Sequence, residues 1–237
     1  MNMNRRQFLR NGAALGSGLV IGFELDGCGE RKFPASQSDS FQPSSFLEIS
    51  PGGEYILQLT RAEMGQGVYT GLTTLVAEEL DIDPAEITVV FAPVTRSLGY
   101  QATGGSNSIR STFESLRQVG ANAKAVLLAA AAKDWNVPAA QLIAENGAIH
   151  DTKSQRKANY SALVATAKTL PVPKQAPLKS PAQFKLIGLF DQRLDAPQKV
   201  DGSAVYGIDI HRENMAYAVL VRCPHFGGTV KNFDASA

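Results

Sequence analysis

Between Phe46 and Thr60, apolar and polar positions alternate on either side of Pro51-Gly52-Gly53. Phe46, Leu47 and Ile49 lead into that turn, and Tyr55, Leu57 and Leu59 follow it. A two-residue period broken by a proline–glycine turn predicts a β-hairpin. From Val68 to Leu80 the period lengthens, with Leu72, Leu75, Val76 and Leu80 at helical spacing. Asp81-Ile82-Asp83-Pro84 ends this helix, because proline cannot continue it. Ile87 to Phe91 reads as a strand, and a loop follows from Ala92 to Gly105.

The longest periodic stretch is Ser106 to Lys133, with Ile109, Phe113, Leu116, Val119, Ala123, Val126 and Leu127 on one stripe. Its alanine run, Ala129 to Ala132, has the highest helix propensity in the chain. After a turn at Val137-Pro138, residues Leu142 to Ile149 predict a short strand pair around Asn146-Gly147. Tyr160 to Thr169 predicts a short helix closed by Pro171 and Pro173. Further on, Val205 to Ile210 and Met215 to Arg222 have strand-like composition. The expected fold class is α+β, with a β-rich unit beginning in the last fifty residues.

Composition changes this picture at three places. The first is the amino terminus, where Arg5-Arg6 and Phe8-Leu9 precede a mild, Gly- and Ala-rich apolar stretch from Gly12 to Phe23. That stretch is too short and too weakly apolar for a transmembrane helix. It matches a twin-arginine export signal over residues 1–28, which predicts a periplasmic protein exported already folded. Leu25-Asp26-Gly27-Cys28 also resembles a lipoprotein box that would anchor a lipid at Cys28, with Asp26 a poor fit. The second is the polar, Ser- and Pro-containing run of residues 29–45, expected to be a linker. The third is the Pro-, Lys- and Gln-rich run of residues 173–185, expected to separate a segment of residues 46–172 from a second domain of residues 186–237.

A net charge of +1 leaves no basic field for nucleic acid or an anionic membrane. The two cysteines, Cys28 and Cys223, are far apart, and with Cys28 at the signal's edge no disulfide is expected. His150, His211 and His225 are scattered, so no zinc site is expected, and Cys223-Pro224-His225 reads as a strand end with a turn.

Two glycine loops carry the candidate chemistry. Met64-Gly65-Gln66-Gly67 lies between a strand and a helix, and Thr103-Gly104-Gly105-Ser106 opens the long helix. Glycines there permit positive φ and close approach of a ligand. The first N–H groups of each helix lack an internal partner, and with the helix dipole they form an anion site suited to phosphate. If the loops converge, they could hold one phosphorylated ligand from two sides, with Gln66, Ser106 and Ser108 adding hydrogen bonds. The plainer reading makes Ser106 or Ser108 an N-cap worth about 1 kcal/mol. Neither loop matches a Walker or a Gly-x-Gly-x-x-Gly pattern.

At these residues the chain resembles the molybdenum hydroxylases of the xanthine dehydrogenase and aldehyde oxidase family. Glu63-Met64-Gly65-Gln66-Gly67-Val68-Tyr69-Thr70 is similar to that family's Met-Gly-Gln-Gly segment, and Thr103-Gly104-Gly105-Ser106-Asn107-Ser108 to its second cofactor-holding segment. Leu186-Ile187-Gly188, Arg193 to Gly202, Tyr206-Gly207-Ile208-Asp209 and Met215-Ala216-Tyr217-Ala218 resemble the entry to its hammerhead domain. Glycine segments ahead of that domain, behind a twin-arginine signal, are the arrangement of isoquinoline 1-oxidoreductase beta-type subunits. The resemblance implies a molybdopterin-binding segment with Met64, Gly65, Gln66, Gly67, Gly104, Gly105, Ser106 and Ser108 at the cofactor, and Thr103 and Arg110 as weaker candidates. Arg110 is expected to pair with Glu114 on the helix face.

The same resemblance implies oxidation of aldehydes or N-heterocycles with water as oxygen source. The cofactor would be molybdenum-bearing molybdopterin in a cytosine dinucleotide form, with electrons leaving through a small 2Fe-2S subunit to a cytochrome or similar acceptor. The family's catalytic glutamate would lie beyond Ala237, so the chain reads as an amino-terminal fragment, inactive and poorly stable alone. Glu63, Glu78, Glu79 and Glu114 read as helix-face or loop carboxylates. Two rival readings stand beside this one. One is an exported, non-enzymatic module binding an anion or cofactor. The other is an assembly role, with the Ser106 to Lys133 helix packing on a partner.

Overall fold

The structure, a computed structural model, describes residues 41, 44, 46–95 and 98–234. The residues expected to form an export signal, and Cys28, lie outside the described residues. The chain divides into two compact units, one ending at Phe190 and one beginning at Asp191.

The first unit is α+β. The predicted hairpin forms as β1 (Leu47–Ile49) and β2 (Tyr55–Leu59), paired antiparallel with Leu47 opposite Leu57. Their alternation is read out directly, since Leu47, Ile49, Tyr55, Leu57 and Leu59 are all buried. Phe41 extends the edge, bridging Ile49 through backbone hydrogen bonds of 2.8 Å. It is buried, although its stretch reads as a linker in the sequence. After β2 the chain crosses through helix α1 (Val68–Leu80) and returns as β3 (Ile87–Phe91), parallel to β2. One turn of 3-10 helix at Pro84–Glu86 makes the return, and the Asp83 side chain caps it by accepting from Ala85 N–H at 2.8 Å.

Helix α1 is enclosed nearly all round, with ten of its thirteen residues buried. No solvent face is left near its end, which is why Glu78 and Glu79 finish inside the protein rather than on a helix face. Helix α2 (Ser108–Trp135) lies against it. Gly120 makes that approach possible, since a Cβ there would stand 2.5 Å from the carbonyl oxygen of Val76. The expected stripe holds from Leu116 through Leu127, whereas Ile109, in the first turn, is exposed. Burying a leucine such as Leu72 or Leu127 contributes about 1.5–3 kcal/mol.

A second sheet follows, β4 (Leu142–Glu145), β5 (Ala148–Asp151) and β6 (Lys157–Asn159), antiparallel throughout. Asn146 and Gly147 both take positive φ, 47° and 69°, as a two-residue hairpin with a type I′ turn requires. Strand β6 has no apolar alternation to announce it. Helix α3 (Tyr160–Ala167) follows. The hydroxyl of the fully buried Tyr160 donates to Leu80 O at 2.8 Å, tying α3 to the end of α1.

The second unit departs from expectation. Its described residues contain helix α4 (Ala196–Val200) and one 3-10 turn at Gly207–Asp209, and no strand. Val205 to Ile210 and Met215 to Arg222 form no ladder despite their composition, and Val219, Leu220 and Val221 are largely exposed. β-propensity expresses side-chain packing and pairing, and these residues find neither a partner strand nor an apolar face among themselves. The local order comes instead from Asp195, whose carboxylate accepts from Arg193 at 3.0 Å and from Lys199. Hydrogen bonding to Arg193, against the opposing effect of burial, brings its pKa down to about 2.

Candidate functional site

The two glycine loops meet. Beyond β2 the alternation continues through Arg61, which turns inward and is 4% exposed. Its guanidinium donates to the carbonyl of Tyr100 and to Ser111 Oγ at 3.3 Å, and it lies over the Tyr100 ring at 4.9 Å. One residue on, Ala62 N–H donates to Thr103 Oγ1 at 2.8 Å. The start of the first loop is thus fastened to the start of the second and to the first turn of α2. Arg61 was not singled out in the sequence. Its phase was the available signal, since it continues the buried series Leu57, Leu59.

Within the first loop, Met64, Gly65 and Gln66 are exposed and Gly67 is partly buried. Gly65 and Gly67 take φ of 102° and 88°, and a Cβ at either would meet nothing within 4 Å. The loop surface is therefore open to close approach. The expected free amide cluster at the start of α1 is not free, however. The Glu63 carboxylate accepts from Gly65 N–H at 2.8 Å, Gly67 N–H at 3.1 Å and Tyr69 N–H at 2.9 Å. Glu63 is therefore no bystander loop carboxylate. The Gln66 amide is also engaged, accepting from Met64 N–H at 2.7 Å and donating to Ala62 O at 2.9 Å. One N–H and one lone pair of that amide remain for a ligand.

The second loop differs. Gly104 and Gly105 are exposed, with no atom within 4 Å of a Cβ at either. Ser106 sits in the turn at φ 51°. The N-cap is Asn107, not Ser106 or Ser108, and its side chain makes no capping bond. The amides of Ser108, Ile109 and Arg110 consequently have no partner among the described residues. Two polar atoms nearby are buried and have no partner among the described residues, Arg61 Nε and Asn107 Oδ1. Arg110 is exposed and makes no ion pair with Glu114 among the described residues. A basic residue four positions ahead of an acidic one is the weaker order on a helix, and an exposed pair is worth little.

A separate polar cluster lies at the other end of α1, about 20 Å along a thirteen-residue helix. Glu78 accepts from Lys179 Nζ at 2.8 Å and from the backbone N–H groups of Lys185, Leu186 and Ile187 at 3.0, 2.7 and 3.0 Å. Glu79 pairs with Arg117 at 2.6 Å and accepts from Lys179 N–H at 3.1 Å. Arg117 is held between the rings of Phe113 and Phe184, at 5.1 and 4.9 Å. These bonds keep the irregular stretch around 176–187 on α1 and α2. A cavity of about 300 Å³ opens beside them, lined by Asp81, Asp83, Glu145 and Phe190 among others. It reaches neither glycine loop. Among the described residues no group of three or more His, Cys, Asp or Glu is placed to hold a metal ion. No helix there is long and apolar enough to cross a membrane.

The two glycine loops are joined, and the second has uncapped helix amides with the buried, unpartnered Arg61 Nε–H near them among the described residues. Over residues 2–220 the sequence matches the family described as the molybdopterin cofactor-binding domain, and the chain belongs to that family. It is similar to the membrane-bound aldehyde dehydrogenase [pyrroloquinoline-quinone] of Gluconacetobacter polyoxogenes, 28% identical over 98% of this chain and 31% of that protein. It is also similar to the beta subunit of isoquinoline 1-oxidoreductase from Brevundimonas diminuta, 27% identical over 100% of this chain and 36% of the relative. A nicotinate dehydrogenase subunit of Pseudomonas putida is 27% identical over 77% of this chain and 15% of its own length. The chain spans about a third of the length of the first two of these relatives. Among solved structures, quinoline 2-oxidoreductase from Pseudomonas putida 86 aligns with TM-score 0.41 and 16% identity, over 50% of this chain and 15% of that one. Carbon monoxide dehydrogenase from Oligotropha carboxidovorans aligns with TM-score 0.44 and 21% identity, over 56% and 16%.

Proposed function

We propose that this chain is the amino-terminal, cofactor-holding part of a molybdenum hydroxylase large subunit of the isoquinoline 1-oxidoreductase beta type. The observation that carries the reading is the bond from Ala62 N–H to Thr103 Oγ1, which brings the two glycine loops into one cradle. The family match over residues 2–220 gives the ligand class. Met64, Gly65, Gln66, Gly67, Gly104, Gly105, Ser106 and Ser108 hold the cofactor, a molybdopterin in its cytosine dinucleotide form. The residues fit such a group. The glycines leave open surface, Gln66 keeps one donor and one acceptor site, and the α2 amides with Arg61 Nε supply unsatisfied donors for a phosphate.

The bound cofactor supplies the two-electron oxidation of an aldehyde or N-heterocycle carbon, with water as the oxygen source. The residues of this chain bind it, orient it and fix its anionic end. Electrons leave through a small 2Fe-2S subunit to a cytochrome or similar acceptor. The protein works in the periplasm, exported by the twin-arginine route that Arg5-Arg6 suggests, with Cys28 as a candidate lipid site. Catalysis needs residues outside this chain, so the chain by itself is inactive.

The test is elemental mass spectrometry on the exported protein purified with its accompanying subunits, followed by nucleotide analysis of the released pterin. About one molybdenum per large subunit and release of a cytosine nucleotide are expected. A stable preparation without molybdenum overturns the reading, and a bound quinone in its place would align the chain with the cofactor named for its aldehyde dehydrogenase relative.

A further inference from the structure

The amide cup at the start of α1 already contains an anion of the protein's own. The N-cap position is Gly67, in the left-handed region at φ 88° and with no side chain to offer as a cap. Helix starts are ordinarily satisfied by a Ser, Thr, Asp or Asn side chain at that position. Here the acceptor comes from four residues earlier. Glu63 Oε1 accepts from both Gly65 and Gly67, and Oε2 accepts from Tyr69, so one carboxylate spans the loop and the first turn of the helix. Gln66 closes a second ring inside the same loop, between Met64 N–H and Ala62 O. Negative charge at a helix start is favoured by the dipole, and hydrogen bonds to an ionised acceptor are the stronger kind. The amides at the start of α2 have no equivalent, because Asn107 caps nothing.

We infer that Glu63 is a positioning residue: its carboxylate acts as the built-in anion of the Met64–Gly67 loop, fixing the loop's shape before any ligand arrives and excluding an external anion from the α1 amides. The inference rests on the reading of the loops as a cofactor cradle and deepens it by giving them different roles. The first loop presents a preshaped surface of glycine backbone, the exposed Met64 side chain and the Gln66 amide. The second is the loop whose amides receive the ligand's anionic end. With Glu63 on the amides of Gly65, Gly67 and Tyr69, the two loops would hold a phosphorylated ligand from two sides in unequal ways.

The experiment follows backbone amides by NMR in the full chain without cofactor, as wild type, Glu63→Gln and Glu63→Ala. In Glu63→Gln the amides of Gly65, Gly67 and Tyr69 are expected to exchange with solvent about tenfold faster than in wild type, while the ladder amides of Leu57 and Val90 keep their rates. In Glu63→Ala, added acetate is expected to slow exchange at the same three amides again, a rescue that a merely structural role would not give. Equal exchange of the three amides in wild type and Glu63→Gln overturns the inference, as does Glu63→Ala unaffected by acetate. Should neither variant fold, inorganic phosphate titrated into wild type decides. Unmoved Gly65, Gly67 and Tyr69 resonances support a filled cup, and saturable shifts at those three overturn it. None of these readings involves molybdenum, so a protein purified without molybdenum would remove the cofactor assignment and leave the Glu63 result standing.

Discussion

Lys179 and Glu78, 101 residues apart in sequence, meet at 2.8 Å between Nζ and Oε1, and Glu78 is fully buried. The same ammonium reaches Asp81 Oδ1 at 2.7 Å. A carboxylate has about four lone-pair sites. Lys179 takes one oxygen of Glu78, and the amides of Lys185, Leu186 and Ile187 converge on the other. That completeness makes the burial tolerable, because a buried charge is costly only while it lacks partners.

Removing the ammonium is therefore expected to be worse than removing the pair. Lys179→Met leaves Glu78 charged inside the protein and strips a partner from Asp81, with an expected loss of about 3 kcal/mol. The double variant Lys179→Met with Glu78→Gln should recover part of that loss. Urea unfolding of the three proteins measures both. A single variant within error of wild type would show that the pair carries no stability.

The same pair predicts an acid limit. Burial pushes the Glu78 carboxyl upward, but the Lys179 ammonium and the N–H groups of Ile187 and Leu186 outweigh it and hold the pKa below the ordinary 4.5. A pKa lower in the folded than in the unfolded state gives stability that is present above pH 4.5 and lost as pH falls through the folded value. Lys179 works at the other extreme. Burial lowers it, while Asp81 and Glu78 raise it above 10.5, so its contribution is present below 10.5 and lost as pH rises further. Unfolding midpoints across the acid range should fall in wild type and fall less steeply in Glu78→Gln. Parallel curves would remove Glu78 from the account.

Gly120 sets how closely α1 and α2 approach. Alanine is favoured over glycine within a helix by about 1 kcal/mol. At this site, however, its Cβ would stand 2.5 Å from Val76 O and 3.1 Å from Glu79 Cβ. Both neighbours belong to a buried helix and cannot move aside without disturbing the Glu79–Arg117 pair. Gly120→Ala is expected to destabilise by about 2 kcal/mol despite its better helix propensity. A thermal melt checks the sign, and an unchanged or raised midpoint would mean that the helices separate at no cost.

What the sequence made legible was what local periodicity governs. The hairpin, α1, β3, α2 and the Asn146-Gly147 turn lie where alternation, helical spacing and turn residues put them. Long-range polar pairing was invisible. Nothing near Glu78 in the chain announces Lys179 or the amides of Lys185 to Ile187, so a charged residue late in an apolar helix read as a solvated one. Strand β6 and the unpaired Val205 to Arg222 show the same limit from two sides, since pairing depends on partners that composition does not encode. At the glycine loops the residue types were legible and their occupancy was not. Glu63 stood next to the motif, and only the fold turns its carboxylate back onto the amides of Gly65, Gly67 and Tyr69.

Thr103 separates the cradle from the fold around it. Its hydroxyl accepts from Ala62 N–H at 2.8 Å in a solvent-exposed contact, so Thr103→Val should cost the fold no more than about 1 kcal/mol. Valine keeps the shape and the β-branching and removes only the acceptor. With this tie cut, Arg61, through Tyr100 O and Ser111 Oγ, is left to hold the first loop against the second. If both loops must hold one cofactor, molybdenum per large subunit should drop several-fold while the melting temperature barely moves. Elemental analysis and a thermal melt on the same purified complex read the two quantities side by side. Full molybdenum content in Thr103→Val would mean that the loops hold their places without this bond, and the joining of the loops at Thr103 could no longer carry the cofactor assignment.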